Sequence, residues 1–369
     1  MFKNTLEKLK KKTQQTLGQR ISLKVCMMGP RAVGKTSILA SIFHETDSKL
    51  VSSSLNFSPI GDTVNKLKKQ YEELYGIFEN VTDVMDKPRG GIHASDTTQD
   101  FHFTLGLKQQ QPSVDIDMTD FPGEFLEPTH VRHADVKQFI RESQVIMIAV
   151  DTVHLMEEEG TFNENRNQSA YLCEKIIHEL KELETKDTKI ILFVPLKCEK
   201  YMYELRMDEV ASKVCAAYAP LLETIAEDDD YHFDKRIAAA ITPIATLGGI
   251  VFSHFEKNED GNIITEDTDN GCPAETCYKF YAPAPRYAPC FCVQPLYYLI
   301  AFAIGRYKSQ QKGGNVISNT LKGLASLFSS DVAFFKACQE MVANLKTRGK
   351  GFKVLQNPEL FPTPLMLNN

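Results

Sequence analysis

The sequence predicts an α/β fold of three layers, in which helices cover both faces of a mostly parallel central sheet. Continuously apolar segments of strand length, such as residues 145–150 (VIMIAV) and 189–194 (KIILFV), alternate with longer segments of helical period. This alternation is typical of parallel strands that are buried on both faces. Polar and glycine-containing motifs directly follow several of these strands, and sheets of this kind bind ligands at the carboxyl ends of their strands.

Composition excludes several classes of protein. The chain has 369 residues, of which 43% are hydrophobic, and a formal net charge of -6, which gives no electrostatic support for nucleic-acid binding. No apolar run approaches the roughly 18 residues of a membrane-spanning helix. Charged residues stand where a secretory signal would have its apolar core, and nine cysteines, an odd number, favour reduced thiols. We therefore expect a cytoplasmic protein that does not bind nucleic acid.

Five segments follow from the pattern along the chain. They are a basic N-terminal helix, a ligand-binding core, a β-rich insertion with cysteines, the last core helix and a C-terminal helical extension, at residues 1–20, 21–249, 250–293, 294–310 and 311–369. A basic amphipathic helix can lie on an anionic membrane, and the alternative is a leader helix packed on the core. The apolar stripe of residues 1–20 is thin, which favours packing over peripheral membrane contact.

The most informative stretch begins with a short apolar strand at residues 23–28. It leads into the pattern G-x-x-x-x-G-K-[ST] and then into a helix, the context in which this pattern forms a phosphate-binding loop (Walker A) rather than an ordinary glycine turn. In such a loop, Lys35 reaches the β- and γ-phosphates and Thr36 ligates Mg²⁺. Backbone N–H groups and the helix N-terminus face the phosphates. The fold class is thus a P-loop NTPase fold, with predicted nucleotide contacts from Gly29, Pro30, Arg31, Ala32, Val33, Gly34, Lys35, Thr36 and Ser37.

A second motif follows in the next part of the core. Residues 52–54, 58–59 and 86–95 are predicted loops, 63–79 a helix, and 99–107 and 113–118 strands. The second strand leads into Asp120-Phe121-Pro122-Gly123-Glu124. An Asp at a strand end with a glycine three residues later can hold Mg²⁺ through water and direct an N–H group at the γ-phosphate. We therefore place Asp120 at the metal and Gly123 at the reacting phosphate.

The rest of the chain continues the alternation. Residues 165–183 and 203–225 are predicted helices, 236–241 a strand, and 315–346 one or two helices broken at Ser329 and Ser330. A turn at residues 258–261 (NEDG) predicts a hairpin in the insertion. The insertion also contains Cys272, Cys277, Cys290 and Cys292, and four thiolates can hold Zn²⁺. Their C-x₄-C and C-x-C spacings favour buried thiols over a structural zinc ion.

In this order the motifs resemble those of a Ras-like, translation-factor-related GTPase domain, over residues 21 to about 250. The phosphate loop and the Asp120–Gly123 motif match the first loop and the second switch of that family. Thr97 or Thr98 lies where a first-switch threonine ligates the metal ion. Leu196-Lys197-Cys198-Glu199 resembles the guanine motif N-K-x-D, and Thr246 stands in the final base-contacting loop. The T-L-G-G, Y-A-P and Q-P-L pieces are similar to bacterial double-GTPase proteins of conflict systems.

The resemblance implies a slow Mg²⁺-dependent GTPase that hydrolyses GTP to GDP and acts as a molecular switch with a protein effector. A homodimer is compatible with it. Two alternatives stay open, a nucleotide-binding scaffold with negligible turnover and an ATPase of the same fold. Glu199 favours guanine, because a carboxylate accepts from the base N–H groups of guanine and would be left unpaired by adenine. The alternative for Lys197 and Glu199 is an exposed charged turn.

Three departures from the family pattern bear on activity. Leu196 replaces the asparagine of the guanine motif, which removes one polar tether between loops. Glu124 replaces the glutamine that orients the attacking water in many such GTPases, and its carboxylate would repel the phosphates. Arg31, inside the phosphate loop, is placed to act on the γ-phosphate in cis, or else it is a solvent-facing arginine. The predicted catalytic residues are Lys35, Arg31, Glu124 and Gly123.

Overall fold

The computed structural model describes residues 21–30, 32–50, 53–79, 98–126, 130–183, 187–228, 230–265, 271–282, 286–311 and 319–357. The predicted N-terminal helix, Arg31 and Thr97 lie outside these ranges. The strands, β1 to β11, span Ile21–Met28, Leu55–Pro59, Gln99–Leu107, Val114–Asp120, Val145–Asp151, Lys189–Leu196, Ile237–Ile241, Ile250–Phe255, Thr276–Phe280, Arg348–Gly349 and Phe352–Gln356. The helices, α1 to α12, span Lys35–Lys49, Thr63–Glu79, His133–Glu142, Thr152–Met156, Asn163–Asn167, Ser169–Lys181, Glu199–Tyr203, Met207–Ala217, Ala219–Glu227, Gln294–Gln311, Asn319–Ser330 and Val332–Val342.

Nine strands form one mixed sheet in the order β10-β11-β7-β6-β5-β1-β4-β3-β2. The five central strands, from β4 to β7, are parallel to one another, and the strands at both edges run antiparallel to their neighbours. All residues of β5 and β6 are buried, as expected for parallel strands covered on both faces. β1 lies between β4 and β5, so the loop after β1 meets the ends of both neighbours.

Helices cover both faces of the sheet, and β1 shows how the sequence supports this. Leu23, Val25 and Met27 face one apolar cluster, with α1 and the C-terminal helices α10 to α12, while Cys26 and Met28 face the other. The second cluster contains α3, α6, α8 and α9. Because neighbouring side chains of a strand point to opposite faces, a continuously apolar strand needs a helical layer on each side. The predicted three-layer α/β fold with a mostly parallel sheet is confirmed.

Several elements differ from the expectation. Residues 55–59 form the edge strand β2, although residues 58–59 were expected as loop; Leu55 and Phe57 are buried and Asn56 is exposed. Pro59 is tolerated in this edge strand, because its missing N–H group is not needed for a hydrogen bond to a second neighbouring strand. The helices expected at 165–183 and 203–225 are divided into α5 and α6 and into α7, α8 and α9, respectively.

The C-terminal extension adds strands as well as helices, which the sequence analysis did not expect. β11 pairs antiparallel with β7, and β10 extends the sheet by one more strand. The turn between them has positive φ at Gly349, Lys350 and Gly351, with values of 71°, 52° and 82°. Glycine adopts this left-handed conformation at low cost, so the sequence R-G-K-G at residues 348–351 could have predicted a tight turn here.

The insertion contains a two-stranded antiparallel ribbon, β8 and β9, that is separate from the main sheet. The predicted turn forms at Asn258–Gly261, where Lys257 bridges to Ile263, but the long pairing joins β8 to residues 276–280. In the described parts of the chain, no three His, Cys, Asp or Glu side chains lie close enough together to bind one metal ion, the four insertion cysteines included. Cys292 instead donates from Sγ to the Ala245 carbonyl at 3.4 Å.

No helix within the described ranges is long and apolar enough to cross a lipid bilayer.

Candidate functional site

The phosphate loop follows β1 and turns sharply at its two glycines. Gly29 has φ 142° and Gly34 has φ 110°, and both values lie in the region that side chains other than glycine rarely adopt. A Cβ on Gly29 would lie 3.0 Å from the carbonyl oxygen of Ala149 in β5. The loop therefore needs glycine at this position for its backbone conformation and for the close approach of the neighbouring strand. Val33, between the glycines, is fully buried and anchors the loop in the core.

Lys35 is the first residue of α1, and its side chain folds back over the loop. Its Nζ donates hydrogen bonds to the carbonyl oxygens of Gly29 at 2.8 Å and Pro30 at 3.0 Å. Burial lowers the pKa of Lys35, while the negative charges of Asp120 and Glu124 act in the opposite direction. The predicted loop residues that the structure describes, with Thr36 and Ser37 next in α1, are thus brought together around one buried ammonium group.

Thr36 and Asp120 meet beside this lysine. The Thr36 hydroxyl donates to Oδ2 of Asp120 at 2.6 Å, although the residues are far apart in the chain. The contact arises because β4 pairs with β1, which sets Asp120 opposite Met27 at the strand ends. Burial raises the pKa of the Asp120 carboxyl group, and Lys35 and the Thr36 hydrogen bond oppose the increase. A hydroxyl and a carboxylate in contact are oxygen ligands of the kind that Mg²⁺ prefers.

Thr98 is close to this pair by strand register. Gln99, the next residue, is opposite Asp120 in the β3–β4 ladder. The hydroxyl oxygen of Thr98 is buried and has no hydrogen-bond partner among the described residues. Of the two threonines predicted at the metal ion, Thr98 therefore has an unused oxygen ligand near Asp120, and Thr97 is not described.

Gly123 and Glu124 begin a single 3₁₀ turn at Gly123–Leu126 that follows β4. The turn is anchored by its apolar neighbours, since Phe121 is buried and its ring stacks on Phe139 of α3 with a centroid distance of 5.4 Å. Glu124 is half-buried, and its charge contributes to the pKa of Lys35. The structure thus brings Glu124 into the electrostatic environment of the phosphate loop.

Leu196 occupies the position of the missing asparagine, and its contact replaces a polar tether by packing. It is buried at the end of β6, and a Cβ on Gly34 would lie 3.4 Å from its Cδ1 atom. The buried side chain of Leu196 therefore lies next to Gly34 of the phosphate loop.

Lys197 connects the base motif to the phosphate loop. Its Nζ donates to Oδ2 of Asp151 at 2.6 Å and to the carbonyl oxygen of Ala32 at 3.3 Å. Its backbone has φ 56°, which directs the chain from β6 into α7. The expectation of an exposed charged turn does not describe this residue, because the lysine is paired with a fully buried carboxylate.

Glu199 is buried at the start of α7 and holds the loop that contains Thr246. Its Oε1 accepts hydrogen bonds from the N–H groups of Leu247 at 3.1 Å and Gly248 at 3.4 Å. Burial raises the pKa of Glu199, and these hydrogen bonds oppose the increase. The Thr246 carbonyl accepts from the Ser41 hydroxyl of α1 at 3.2 Å, so the two predicted base loops and the helix of the phosphate loop form one assembly.

Asp151 and Arg166 were missed by the sequence analysis. Asp151 ends β5 and is fully buried. Burial by itself would raise its pKa, but Lys197, His154 and Arg166 hold the pKa well below its ordinary value. Arg166 donates from Nη2 to the Ala32 carbonyl at 3.2 Å. The available signal for Asp151 was the same one used for Asp120, a carboxylate directly after an apolar strand.

Comparison with known proteins gives one family match. The family described as Double-GTPase 2 matches residues 24–256. No curated protein matches the sequence.

Similar solved structures are GTPase domains of low sequence identity. The GTP-bound GTPase-like domain of Ski7 from S. cerevisiae has 14% identity and a TM-score of 0.35, covering 75% of this chain and 49% of its own. The SRb-GTP/SRX complex of the signal recognition particle receptor from Chaetomium thermophilum has 12% identity and a TM-score of 0.37, covering 61% and 94%. LeoA, a bacterial dynamin GTPase from ETEC, has 15% identity and a TM-score of 0.28, covering 61% and 30%.

This chain thus spans about half the length of the Ski7 structure. TM-scores this low support no conclusion about residues or activity, so the assignment of the chain to a family rests on the Double-GTPase 2 match. That match covers most of the α/β core, from the phosphate loop to β8. The chain therefore belongs to the Double-GTPase 2 family, and its fold is the α/β fold with a phosphate-binding loop.

Proposed function

We propose that the protein hydrolyses GTP to GDP and phosphate in a Mg²⁺-dependent reaction and that it acts as a molecular switch. The observation that carries this proposal is the convergence of Lys35, Thr36 and Asp120 at the carboxyl ends of β1 and β4. A buried ammonium group beside a hydroxyl–carboxylate pair provides the charge and the ligands that a nucleoside triphosphate and its metal ion need.

The phosphates bind to the loop from Gly29 to Thr36. Its N–H groups and the N-terminus of α1 bind the phosphate oxygens, and Lys35 exchanges its hydrogen bonds with the loop carbonyls for bonds to the β- and γ-phosphates. Burial lowers the pKa of Lys35. The negative charge of a bound nucleotide would act in the opposite direction and favour the protonated form of the lysine.

Thr36 and Asp120 would hold Mg²⁺, and Thr98 is the threonine that responds to the γ-phosphate. The fit is supported by the buried Thr98 hydroxyl, which has no hydrogen-bond partner among the described residues, and by the Thr36–Asp120 contact. When bound, Mg²⁺ neutralises phosphate charge during phosphoryl transfer. Thr98 and Gly123 lie at the beginning and end of the β3–β4 hairpin, so both can respond to the presence of the γ-phosphate.

The purine lies next to the loops that follow β6 and β7, which contain Glu199 and Thr246. Glu199 uses Oε1 for the loop N–H groups, and its other carboxylate oxygen is the proposed acceptor for the guanine N–H groups. Lys197 lies along the base, held by Asp151 and Ala32. This arrangement favours GTP over ATP, because adenine leaves a buried acceptor without a donor.

For hydrolysis, we propose that Arg31 stabilises the charge of the transferring phosphoryl group and that Glu124 orients water.

A specific observation supports a second candidate, a nucleotide-binding scaffold with negligible turnover. Glu124 lies close enough to Lys35 to affect its pKa, and a carboxylate at that place repels the γ-phosphate.

We further propose a protein effector for the GTP-bound state, with a homodimer as the other form of partner, and a cytoplasmic location. The location is supported by the odd number of cysteines, nine, because an odd number favours reduced thiols and reduced thiols are typical of the cytosol.

The test is single-turnover hydrolysis of GTP and ATP by the purified protein, with Mg²⁺ and with EDTA. We expect Mg²⁺-dependent production of GDP from GTP and little product from ATP. The Lys35→Ala variant should bind GDP at least about 100-fold more weakly, with an unchanged circular dichroism spectrum. Binding of GTP without turnover would support the scaffold, and unchanged nucleotide affinity of Lys35→Ala would refute the proposed site.

A further inference from the structure

The ribbon of β8 and β9 lies next to the proposed base site. The base loop that Glu199 holds leads from Gly248 directly into β8 at Ile250. On the ribbon, Phe255 packs on His154, with ring centroids 5.3 Å apart, and His154 bonds to Asp151. Lys200 of α7 lies over the Phe252 ring at 5.0 Å. The ribbon therefore covers the ends of β5 and β6.

Tyr278 of β9 contributes a buried polar group to this ribbon. It pairs with Phe252 across the ribbon, and the two rings meet edge to face at 6.4 Å. Its hydroxyl oxygen is buried, and no described residue forms a hydrogen bond with it. A buried hydroxyl without a partner costs free energy, since water bound it in the unfolded chain.

Tyr278 packs against a buried cluster of Val153, Phe252 and Phe255, and Val153 follows Asp151 by two residues. Burial and the negative charges of Asp151 and Glu199 raise the pKa of Tyr278 well above its ordinary value, and Arg166 acts in the opposite direction. A second donor in this neighbourhood, Nε of Arg166, is also buried without a hydrogen bond to any described residue, 3.6 Å from Asp151. The part of the chain around Asp151 and the ribbon thus contains two buried polar groups without a hydrogen bond to any described residue.

We propose that the ribbon covers the guanosine part of the bound nucleotide and that the Tyr278 hydroxyl forms a hydrogen bond to it. The inference rests on the proposed function, because it names a further nucleotide-binding residue of the same site. The hydroxyl both donates and accepts, so the polar edge of the base or the ribose can satisfy it. The phosphates bind at the ends of β1 and β4, away from this group, so the contact does not distinguish GTP from GDP.

The experiment compares Tyr278→Phe with the wild type in titrations with fluorescent GDP and a non-hydrolysable GTP analogue. We expect the dissociation constants of both nucleotides to rise by the same factor, about fivefold to tenfold, since one hydrogen bond is lost. The matched control is Tyr281→Phe, because Tyr281 follows the same strand but is 55% exposed and stacks on Tyr203. This variant should bind both nucleotides as the wild type does.

Melting without nucleotide separates binding from a structural role. Tyr278→Phe should melt at or above the wild-type temperature, because it removes an unpaired buried hydroxyl. A lower melting temperature with unchanged affinity, a loss confined to the GTP analogue, or tighter binding would each overturn the proposal while leaving GTP binding by the wild type intact. Failure of the wild type to bind either nucleotide would instead refute the proposed function itself, and the role of Tyr278 with it.

Discussion

At the residue scale, Asp151 connects the loop that follows β6 to the phosphate loop. Its buried carboxylate pairs with Lys197 at 2.6 Å and lies 3.6 Å from Arg166, and both cations also bind the Ala32 carbonyl of the phosphate loop. Removing one partner of a buried ion pair is strongly destabilising, since the remaining charges stay desolvated.

We expect Asp151→Asn to lower the free energy of unfolding at neutral pH by about 3 kcal/mol, the lower end of the range because both cations are partly exposed. The folded pKa of Asp151 is depressed, so its stabilisation is complete above the ordinary Asp pKa and is lost only as the pH falls through the folded value. The full difference from wild type, measured by urea unfolding, is therefore expected at about pH 7.

The control for this variant is Asp135→Asn. Asp135 forms an exposed ion pair with Arg132 at 2.7 Å, and such pairs contribute less than about 1 kcal/mol. If both variants lose the same small amount, Asp151 does not organise the site.

Arg31 is the residue whose role stays a prediction, because it lies outside the described part of the chain. If it stabilises charge during phosphoryl transfer, Arg31→Ala slows single-turnover hydrolysis at least about tenfold, or roughly 1.4 kcal/mol, and leaves GDP affinity unchanged. Arg31→Lys keeps the charge but loses the planar fork. Hydrolysis by Arg31→Ala at the wild-type rate would exclude the cis-arginine mechanism and favour a group supplied by a partner.

At the element scale, β11 connects the C-terminal extension to the core. Phe352 is 3% exposed, and its ring meets Phe291 edge to face at 5.2 Å. Phe352→Ala should reduce the free energy of unfolding by about 3–5 kcal/mol, because it leaves a cavity next to Phe291. Lys353→Ala, on the exposed side of the same strand, should change it by less than about 0.5 kcal/mol in urea unfolding. A small effect of both would mean that β11 detaches from the sheet at little cost.

At the scale of the whole molecule, the site joins parts of the chain from β1 to the insertion, so a bound nucleotide should stabilise the complete fold. GDP at about 100 times its dissociation constant should raise the free energy of unfolding by about 2.7 kcal/mol. ATP at the same concentration should have a much smaller effect if Glu199 selects guanine. Thermal melting with each nucleotide tests this, and equal shifts by GDP and ATP would contradict guanine selection.

Some features of this protein were determined by the sequence alone because they depend on neighbouring residues. The strand, the two glycines and Lys35 of the phosphate loop lie within one short segment, and the glycines specify its backbone. The alternation of apolar strands and helices likewise specified the three layers, since burial on both faces leaves a local pattern. The limits of α2 and β3 also agree with the predicted residues 63–79 and 99–107.

Only the tertiary structure decided which distant residues meet. Thr36 contacts Asp120 because β4 pairs with β1, and Lys197 contacts Asp151 because β5 and β6 end side by side. β8 pairs with β9 rather than with the nearer segment after the Asn258–Gly261 turn. Such pairings depend on how all segments share one core, and the free energy of a long loop closure changes little with its length. A local pattern therefore limits which residues are buried at strand ends, while the sheet order determines which of them form a site.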